Sequence, residues 1–284
     1  VENSLRTKKK FPVTIIGAGP VGSALALALK KKEYPVRVVF SRKGKSAKAL
    51  GQRILALHAR LRSTKRFGVE GIIFIAVPDD EIENVVHILS RSHEDFSRSI
   101  IFHTSGALSS KILSPLERKG ATVGSFHPVQ TFPKSTVTSG WLENIWIGIE
   151  GDKKAVVAAR RIVHDFAARS FVLSSRQKVL YHVAAVFSSN YFVTLLSVVE
   201  ELGKRIHLPR RKLISIVEPL ILQSLMNVKK SSAASALTGP IARGDVQTLK
   251  RHRLELEKKG LRNISQLYSA LAKETSRLAS RKVP

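Results

Sequence analysis

Gly17-Ala18-Gly19-Pro20-Val21-Gly22 stands between the apolar run Pro12-Val13-Thr14-Ile15-Ile16 and an alanine- and leucine-rich stretch from Ser23 to Leu29. β-Branched residues before the glycines and good helix formers after them predict a strand, a tight turn and a helix. Glycines at 17, 19 and 22 let the chain turn sharply, come close to a diphosphate and pack the helix start against the strand. The bare helix N-terminus then offers N–H groups and a partial positive charge to an anion. Three glycines at this spacing are weak evidence alone, since small-residue turns are common. The strand before them and the helix after them supply the context that a dinucleotide site requires. All six residues, Gly17 to Gly22, are therefore expected at the diphosphate.

Downstream, the helix is expected to run to about Glu33, where Tyr34-Pro35 stops it, and Val36 to Phe40 reads as the second strand. A site selecting NAD places an acidic residue near the end of this strand to hold the ribose hydroxyls. Here the chain reads Ser41-Arg42-Lys43, with Lys45 nearby. A hydroxyl and two cations suit a 2′-phosphate, so the expected cofactor is NADP rather than NAD. A solvated basic turn is the competing reading.

From Ser46 to Arg66 the spacing is helical on a polar background, and no strand can be placed there. Gly71 to Val77 is apolar on both faces, as central parallel strands are, and ends at Pro78-Asp79-Asp80. Asp79 or Asp80 is expected to cap a helix over Glu81 to Leu89. Ser99 to Thr104 is the next strand, followed by Ser105-Gly106 and a helix from about Ser110 to Lys119. Ala121 to Phe126 then leads to His127-Pro128. The strand ends thus deliver Val77-Pro78, Thr104-Ser105 and His127-Pro128 toward one crevice, the first two pairs against the cofactor. Two further strands, Ile145 to Ile149 and Ser170 to Leu173, flank a helix over Asp152 to Ala168. Such alternation predicts an α/β fold with a doubly wound, mostly parallel sheet.

After Ser174 the pattern is helical throughout. Arg176 to Ile206 reads as one long central helix, Leu213 to Val228 as a second that Pro219 would kink, and Asp245 to Lys259 and Asn263 to Ser280 as amphipathic helices. The expected organisation is a nucleotide-binding domain over 1–174, with 1–10 a loose basic arm, and an all-helical domain over 175–284 for substrate and dimerisation.

The 284 residues are 43% hydrophobic and 24% charged, ordinary for a globular protein with a sizeable core. The absence of cysteine excludes disulfides, thiolate catalysis and cysteine-ligated metal centres, and no metal site is expected. The net charge of +27 is the unusual feature and would suit a polyanion. It is spread evenly: 28 basic and 14 acidic residues precede the end of Ser174, and 20 and 7 follow it. Clusters such as Lys30-Lys31-Lys32 fall at element ends, where solvated caps explain them, so no dedicated nucleic-acid role is expected. The first ten residues do not resemble a signal peptide, and a reducing cytoplasm is the expected location. Val179 to Val199 carries no formal charge over 21 residues, yet His182, Ser188, Ser189, Asn190, Thr194 and Ser197 lie within it. These polar groups are costly in lipid, so a helix buried inside a soluble protein is expected rather than a membrane span.

Three features could carry chemistry. Lys178 and His182, at i and i+4, share a helix face that Ser189 continues, and a cation beside an imidazole could polarise a carbonyl and transfer a proton. An exposed first-turn lysine and a satisfied core histidine would have the same spacing. His127, at a strand end beside the crevice, could bind substrate or act as an acid, or could only bond its own loop. His103 lies inside a strand pattern. In the run Ala236 to Asp245, Thr238 and Arg243 offer donors, Arg243 could clamp a carboxylate, and Asp245 could cap the next helix. An interhelical turn holding an Arg–Asp pair is the plainer alternative.

His103 to Leu108, Gly124 to Phe132, Tyr181 to Ala185 with Ser189-Asn190-Tyr191, and Leu237 to Asp245 with His252 together resemble a bacterial family. Its members join a Rossmann-like NADP-binding domain to a C-terminal helical domain of unknown function. The resemblance runs from about Phe11 to Ala279. More distantly the plan is similar to pyrroline-5-carboxylate reductase, ketopantoate reductase, prephenate dehydrogenase and the β-hydroxyacid dehydrogenases. In the last group a lysine and an asparagine four apart on the long helix serve catalysis. This chain has Lys178 in the lysine place and His182 where asparagine would stand. His127-Pro128 also resembles the strand-end His-Pro of prephenate dehydrogenases. The resemblance implies a homodimer through the helical domain and a Lys178/His182 site, and secures fold and cofactor better than reaction.

The sequence therefore leads to a dehydrogenase or reductase using NADP on a small, carboxylated oxo, hydroxy or imine substrate. Lys178 is expected to orient the acceptor, His182 or His127 to handle the proton, and Ser189, Asn190, Thr238 and Arg243 to position the substrate. The alternative is a non-catalytic NADP sensor or partner-binding protein.

Overall fold

The computed structural model describes residues 10–42, 44–61, 70–133 and 137–281. Lys43 and nearly all of the expected basic arm lie outside them. Two compact units are present, Val1–Ser189 and Asn190–Pro284.

The first unit is built on eight strands: β1 (Val13–Ile16), β2 (Val36–Ser41), β3 (Leu57–Arg60), β4 (Gly71–Ile75), β5 (Ser99–His103), β6 (Thr122–Pro128), β7 (Trp146–Gly151) and β8 (Arg169–Val172). They form one sheet in the order β3-β2-β1-β4-β5-β6-β7-β8, in which only the β6–β7 pair is antiparallel. Helices α1 (Pro20–Lys31), α2 (Lys45–Ile54), α3 (Asp79–Ser90), α4 (Ser114–Glu117) and α5 (Lys153–Asp165) cover it. The expected doubly wound sheet is thus the observed one.

Period-two alternation along the buried strands splits the core between the two faces. Ile72 and Phe74 of β4 pack with α1, α2 and α5 side chains, whereas Ile73 and Ile75 pack with Ile82, Val85 and Val86 of α3. On the first face the rings of Phe74, Phe102 and Phe126 meet at centroid distances of 5.3 to 6.0 Å, and Phe166 closes on Phe126 at 6.5 Å. Each such fully buried side chain stabilises the fold by about 1.5–3 kcal/mol.

Several expectations need correction. The stretch read only as helix contains α2 and then β3, whose residues Leu57-His58-Ala59-Arg60 are all exposed. An edge strand held by backbone pairing to β2 needs no apolar face, so it left no pattern to read. Neither aspartate caps α3: Pro78 occupies the N-cap, and Asp79 begins the helix while accepting a hydrogen bond from Ser105. The helix expected over Ser110–Lys119 is a 3₁₀ turn, Ser110–Leu113, followed by the single turn of α4, where Pro115 starts a new helix.

Beyond β8, α6 (Lys178–Val186), a π-helical segment (Phe187–Tyr191) and α7 (Phe192–Arg205) form one helical stretch of 28 residues. Its most apolar 18-residue window has a mean hydropathy of 1.5, long and apolar enough to cross a membrane, and none of that window is buried in the chain. The expectation of a buried core helix therefore fails for a single chain. Val179, Leu180 and Phe187 are each more than 60% exposed.

The second unit adds α8 (Arg210–Lys230), α9 (Ala233–Ala236), α10 (Val246–Lys258) and α11 (Arg262–Ala279) to α7. Pro219 lies inside α8. Gly203 lets α8 approach α7, since a Cβ there would fall 2.3 Å from Leu213 Cδ2. Asp245 caps α10 as expected, accepting from the Thr248 N–H at 3.0 Å and its hydroxyl at 2.6 Å.

Candidate functional site

A cavity of about 340 Å³ opens where the strand order reverses between β1 and β4, the place where doubly wound sheets bind ligands. Ile16, Gly17, Ala18, Gly19, Ser41, Arg42, Val77, Pro78 and Glu81 are among the residues lining it. Each glycine of the opening motif has a different task. Gly17 has a φ of +111°, and a Cβ on it would strike the Ala76 carbonyl oxygen at 2.2 Å. A Cβ on Gly22 would lie 1.9 Å from the Gly17 oxygen, so Gly22 packs the helix start against the turn. At Gly19 a Cβ would meet nothing within 4 Å. Gly19 is also the N-cap of α1 and offers no side-chain cap to the first turn. This bare helix end beside open space fits a dinucleotide diphosphate.

Ser41 Oγ accepts from the Gly44 N–H at 3.1 Å and the Ala47 N–H at 3.3 Å, which fixes the turn after β2. Arg42 is exposed and forms an ion pair with Glu81 of α3. Glu81 lines the cavity yet was legible only as part of a helix. Pro20, Val21 and Gly22 belong to the first turn of α1 and are not in the lining, and Lys43 falls outside the described residues. Thr104 and Ser105, expected against the cofactor, do not line this cavity either; both are buried. Ser105 Oγ donates to Asp79 Oδ2 at 2.6 Å and accepts from the N–H groups of Ala107 and Leu108 at 3.2 and 3.0 Å. Its hydroxyl is therefore spent on holding the loop after β5.

A second cluster sits at the ends of β5 and β6. Lys178, Tyr181 and His182 share one face of α6 at i, i+3 and i+4. Lys178 is only 2% exposed, and its Nζ donates to the Ser105 carbonyl oxygen at 2.9 Å and to Ser125 Oγ at 2.7 Å. The reading of it as an exposed first-turn residue is thereby excluded. His127, near the end of β6, has Nδ1 2.8 Å from the Tyr181 hydroxyl, and Tyr181 packs in turn on Phe171. The His127 and His182 rings meet edge-on, 5.8 Å between centroids. Both crowd Gly106: a Cβ there would lie 2.5 Å from His182 Nδ1 and 2.8 Å from His127 Nε2. His182 Nδ1 is buried without a hydrogen-bond partner among the described residues. His103 accepts from the Ser105 N–H through Nδ1 at 3.2 Å, and its Nε2 is likewise buried without a partner.

Burial pushes the Lys178 ammonium down to about 8, with the charges of Glu150 and Asp79 opposing the shift. Glu150 is itself buried and accepts from the Ser110 N–H at 2.7 Å and the Ser110 hydroxyl at 2.9 Å. Burial, then the charges of Lys178 and His182, pushes His127 down to about 4. His103 falls to about 3, chiefly by burial and then through Lys178. Burial raises the Tyr181 phenol to about 12. At neutral pH, therefore, His127 and His103 are neutral, Tyr181 keeps its proton and Lys178 is mostly charged. The arrangement can donate hydrogen bonds and hold a proton beside a cation without carrying a charged imidazole at His127.

Lys178, His127 and His182, expected as catalytic, thus come together in one place. Ser189 is half-buried within the π-helical segment, and Asn190, Thr238 and Arg243 belong to the second unit. Thr238 and Arg243 lie exposed on the loop between α9 and α10, which Gly239 and Gly244 shape with φ of +93° and +71°. Sequence reasoning missed Tyr181, Gly106, Ser125, Glu150 and Glu81 as site residues. Tyr181 could have been found, since i+3 from Lys178 puts it on the same face. Glu150 also had a signal, a charge ending the apolar run Trp146 to Ile149.

A glycine cradle at the switch point of a doubly wound sheet, with a helical unit after it, defines a Rossmann-like two-domain protein. Residues 2–128 match the model of a Rossmann-like domain, and residues 145–275 match that of a domain of unknown function (DUF2520). Among curated proteins none matches it. Among solved structures it is similar to a Bacteroides fragilis protein described as an NADP oxidoreductase, at 24% identity and a TM-score of 0.76, over 94% of this chain and 98% of that one. A Thermotoga maritima protein is similar at 25% identity and a TM-score of 0.69, over 94% and 98%. An Aspergillus terreus reductive aminase, solved with NADPH and ethyl-5-oxohexanoate, shares the fold at 16% identity and a TM-score of 0.62, over 95% and 90%. A pyrroline-5-carboxylate reductase and a prephenate dehydrogenase share it too.

Proposed function

We propose that the chain is an NADP-dependent oxidoreductase acting on a small, carboxylated oxo, hydroxy or imine substrate. The observation that carries this reading is the pairing, at the carboxyl ends of parallel strands of one sheet, of the Gly17–Gly22 cradle with the cluster of Lys178, His127 and His182. The names of the Bacteroides and Aspergillus proteins support NADP as the cofactor. Gly17, Ala18 and Gly19 would hold the diphosphate, Val77 and Pro78 would flank the dinucleotide, and Ser41 and Arg42 would face the 2′-phosphate. The cofactor would supply or accept the hydride.

The protein's own residues would do the rest. Lys178, held by Ser105 and Ser125, would orient the acceptor group through its positive charge. His127 or His182 would hold the proton that the reduced substrate needs. Ser189, Asn190, Thr238 and Arg243 would position the substrate, with Arg243 suited to a carboxylate. A second copy of the chain would cover the apolar side of Lys178–Arg205, and the cytoplasm would be its compartment. In this reading residues 1–174 would serve the nucleotide and residues 175–284 substrate and dimerisation.

Titration of NADPH fluorescence, with and without a panel of 2-oxo acids and cyclic imines, tests the proposal. Tight binding with oxidation on at least one member supports it. Tight binding with no turnover on any would favour the sensor reading, and no binding would remove both.

A further inference from the structure

The proton at His127 depends on which ring nitrogen carries it, and one contact decides that. Tyr181 Oη lies 2.8 Å from Nδ1, while Nε2 is turned toward Gly106 and His182. The two rings cannot swing apart easily. Tyr181 packs against both His127, at 5.6 Å centroid to centroid, and Phe171, at 5.3 Å, while His182 stands edge-on to His127.

We propose that Tyr181 is a positioning residue whose hydroxyl donates a hydrogen bond to His127 Nδ1 and thereby fixes His127 as the Nε2–H tautomer, with Nε2 facing Gly106. This deepens the functional reading above and rests on it for its catalytic meaning, though the tautomer itself does not require turnover.

The chemistry follows from donor strength. A neutral imidazole has one N–H and one lone pair, and the hydrogen bond made by one nitrogen sets the state of the other. A phenol is a better donor than acceptor. Were Nδ1–H to donate to Tyr181 Oη, the phenolic proton would need another acceptor; His127 is the side-chain partner seen for that hydroxyl among the described residues. The groups facing His127 favour the neutral ring. Lys178 and His182 approach from α6, His103 lies on the neighbouring strand β5, and of these the Lys178 charge and His182 both oppose a second proton on His127. Tyr181, on α6, keeps its own proton because burial raises its phenol. The consequence is a ring that presents a donor, not a lone pair, to whatever lies beside Gly106. Such a donor suits the oxygen or nitrogen of an acceptor group in the reductive direction.

Nitrogen-15 NMR of histidine-labelled full-length protein near neutral pH reads the tautomer directly, with His127→Gln used to assign the ring. The expected result is a pyridine-like Nδ1 and a pyrrole-like Nε2 at His127, and in Tyr181→Phe a shift of both signals toward a mixture of tautomers. A pyrrole-like Nδ1 in the unaltered protein overturns the proposal, as does a tautomer ratio that Tyr181→Phe leaves unmoved. Should Tyr181→Phe fail to fold, the spectrum of the unaltered protein still decides. Because no substrate is present, an intact tautomer in a protein without turnover would sink the proposed enzymatic role and leave this inference standing.

Discussion

Lys178 Nζ and the carbonyl oxygen of Ser105 are 2.9 Å apart, so the first residue of the long helix is tied to the loop that follows β5. That bond and the one to Ser125 Oγ hold a buried cation whose ammonium has been pushed down to about 8. In the unfolded chain the same lysine titrates at about 10.4. Between these values the unfolded state binds more protons than the folded one, so Lys178 makes stability rise with pH across that window. The gain is on the order of 3 kcal/mol, and it is absent below about 8, where both states are charged. Urea unfolding across the window should show the unaltered protein gaining on Lys178→Met by that order. A difference between the two that stays flat with pH would mean that the lysine is not held as the geometry indicates.

Gly106 is where the two imidazoles meet, and Gly106→Ala asks whether their approach matters. The new Cβ would sit within 3 Å of both rings, so His127 and His182 must move apart. Overpacking of this kind costs roughly 1–3 kcal/mol, which a protein of this size should survive. Turnover on any substrate found should fall by at least about tenfold, given how sharply rate depends on a misplaced catalytic group, while NADPH affinity holds. Unchanged kcat would remove both histidines from the chemistry.

The sheet and its switch point were legible because buried parallel strands must be apolar on both faces, and Gly71–Ile75 and Ser99–His103 advertise that in sequence. β3 was illegible for the opposite reason: an exposed edge strand such as Leu57–Arg60 is held by backbone bonds that any side chains permit. The candidate site divides the same way. Lys178 and His182 share a helix face by spacing, so their pairing could be read. Their junction with His127 and Gly106 depends on how α6 lies across β5 and β6, which no local pattern records. Asp79 looked like a cap because an aspartate before a helix usually is one; its partner turned out to be Ser105, 26 residues away.

Gly19→Ala separates the cofactor from the fold. Position 19 has φ −76°, which alanine adopts freely, and its Cβ would meet nothing within 4 Å. Stability should therefore change by less than about 0.5 kcal/mol, as surface substitutions do. If the open space is the diphosphate seat, the methyl group occupies it, and fluorescence titration should show NADPH affinity down by about tenfold or more, a loss of ~1.4 kcal/mol. Unaltered affinity would place the dinucleotide elsewhere.

Arg42 and Glu81 form an exposed pair whose own contribution to stability is about 0–1 kcal/mol. Arg42→Asp should therefore leave thermal stability nearly unchanged. Its effect should appear in cofactor preference: a lost charge-assisted contact to the 2′-phosphate is worth ~1.5–3 kcal/mol, so NADPH should weaken by at least about tenfold while NADH does not. Equal loss for both cofactors would show that the turn after β2 does not read the 2′-phosphate.

The apolar side of α6 argues for a partner. Val179, Val183 and Phe187 recur every four residues and are exposed, with Leu180 beside them, while Lys178, Tyr181 and His182 take the opposite, sheet-facing side. A helix of 28 residues with this hydropathy could satisfy its surface in lipid or against protein. Lipid would have to accept the polar groups of His182, Ser188, Ser189 and Asn190 within the same window, whereas a second copy could place its own apolar face there and leave the polar side to the site. A stable homodimer needs about 1,600 Å² of buried surface, within reach of several such turns contributed by each copy. Sedimentation equilibrium should then give a dimer at micromolar concentration, and Leu180→Glu with Val183→Glu should dissociate it while NADPH binding persists. A monomer at every concentration, or protein that pellets with neutral lipid vesicles, would overturn the dimer.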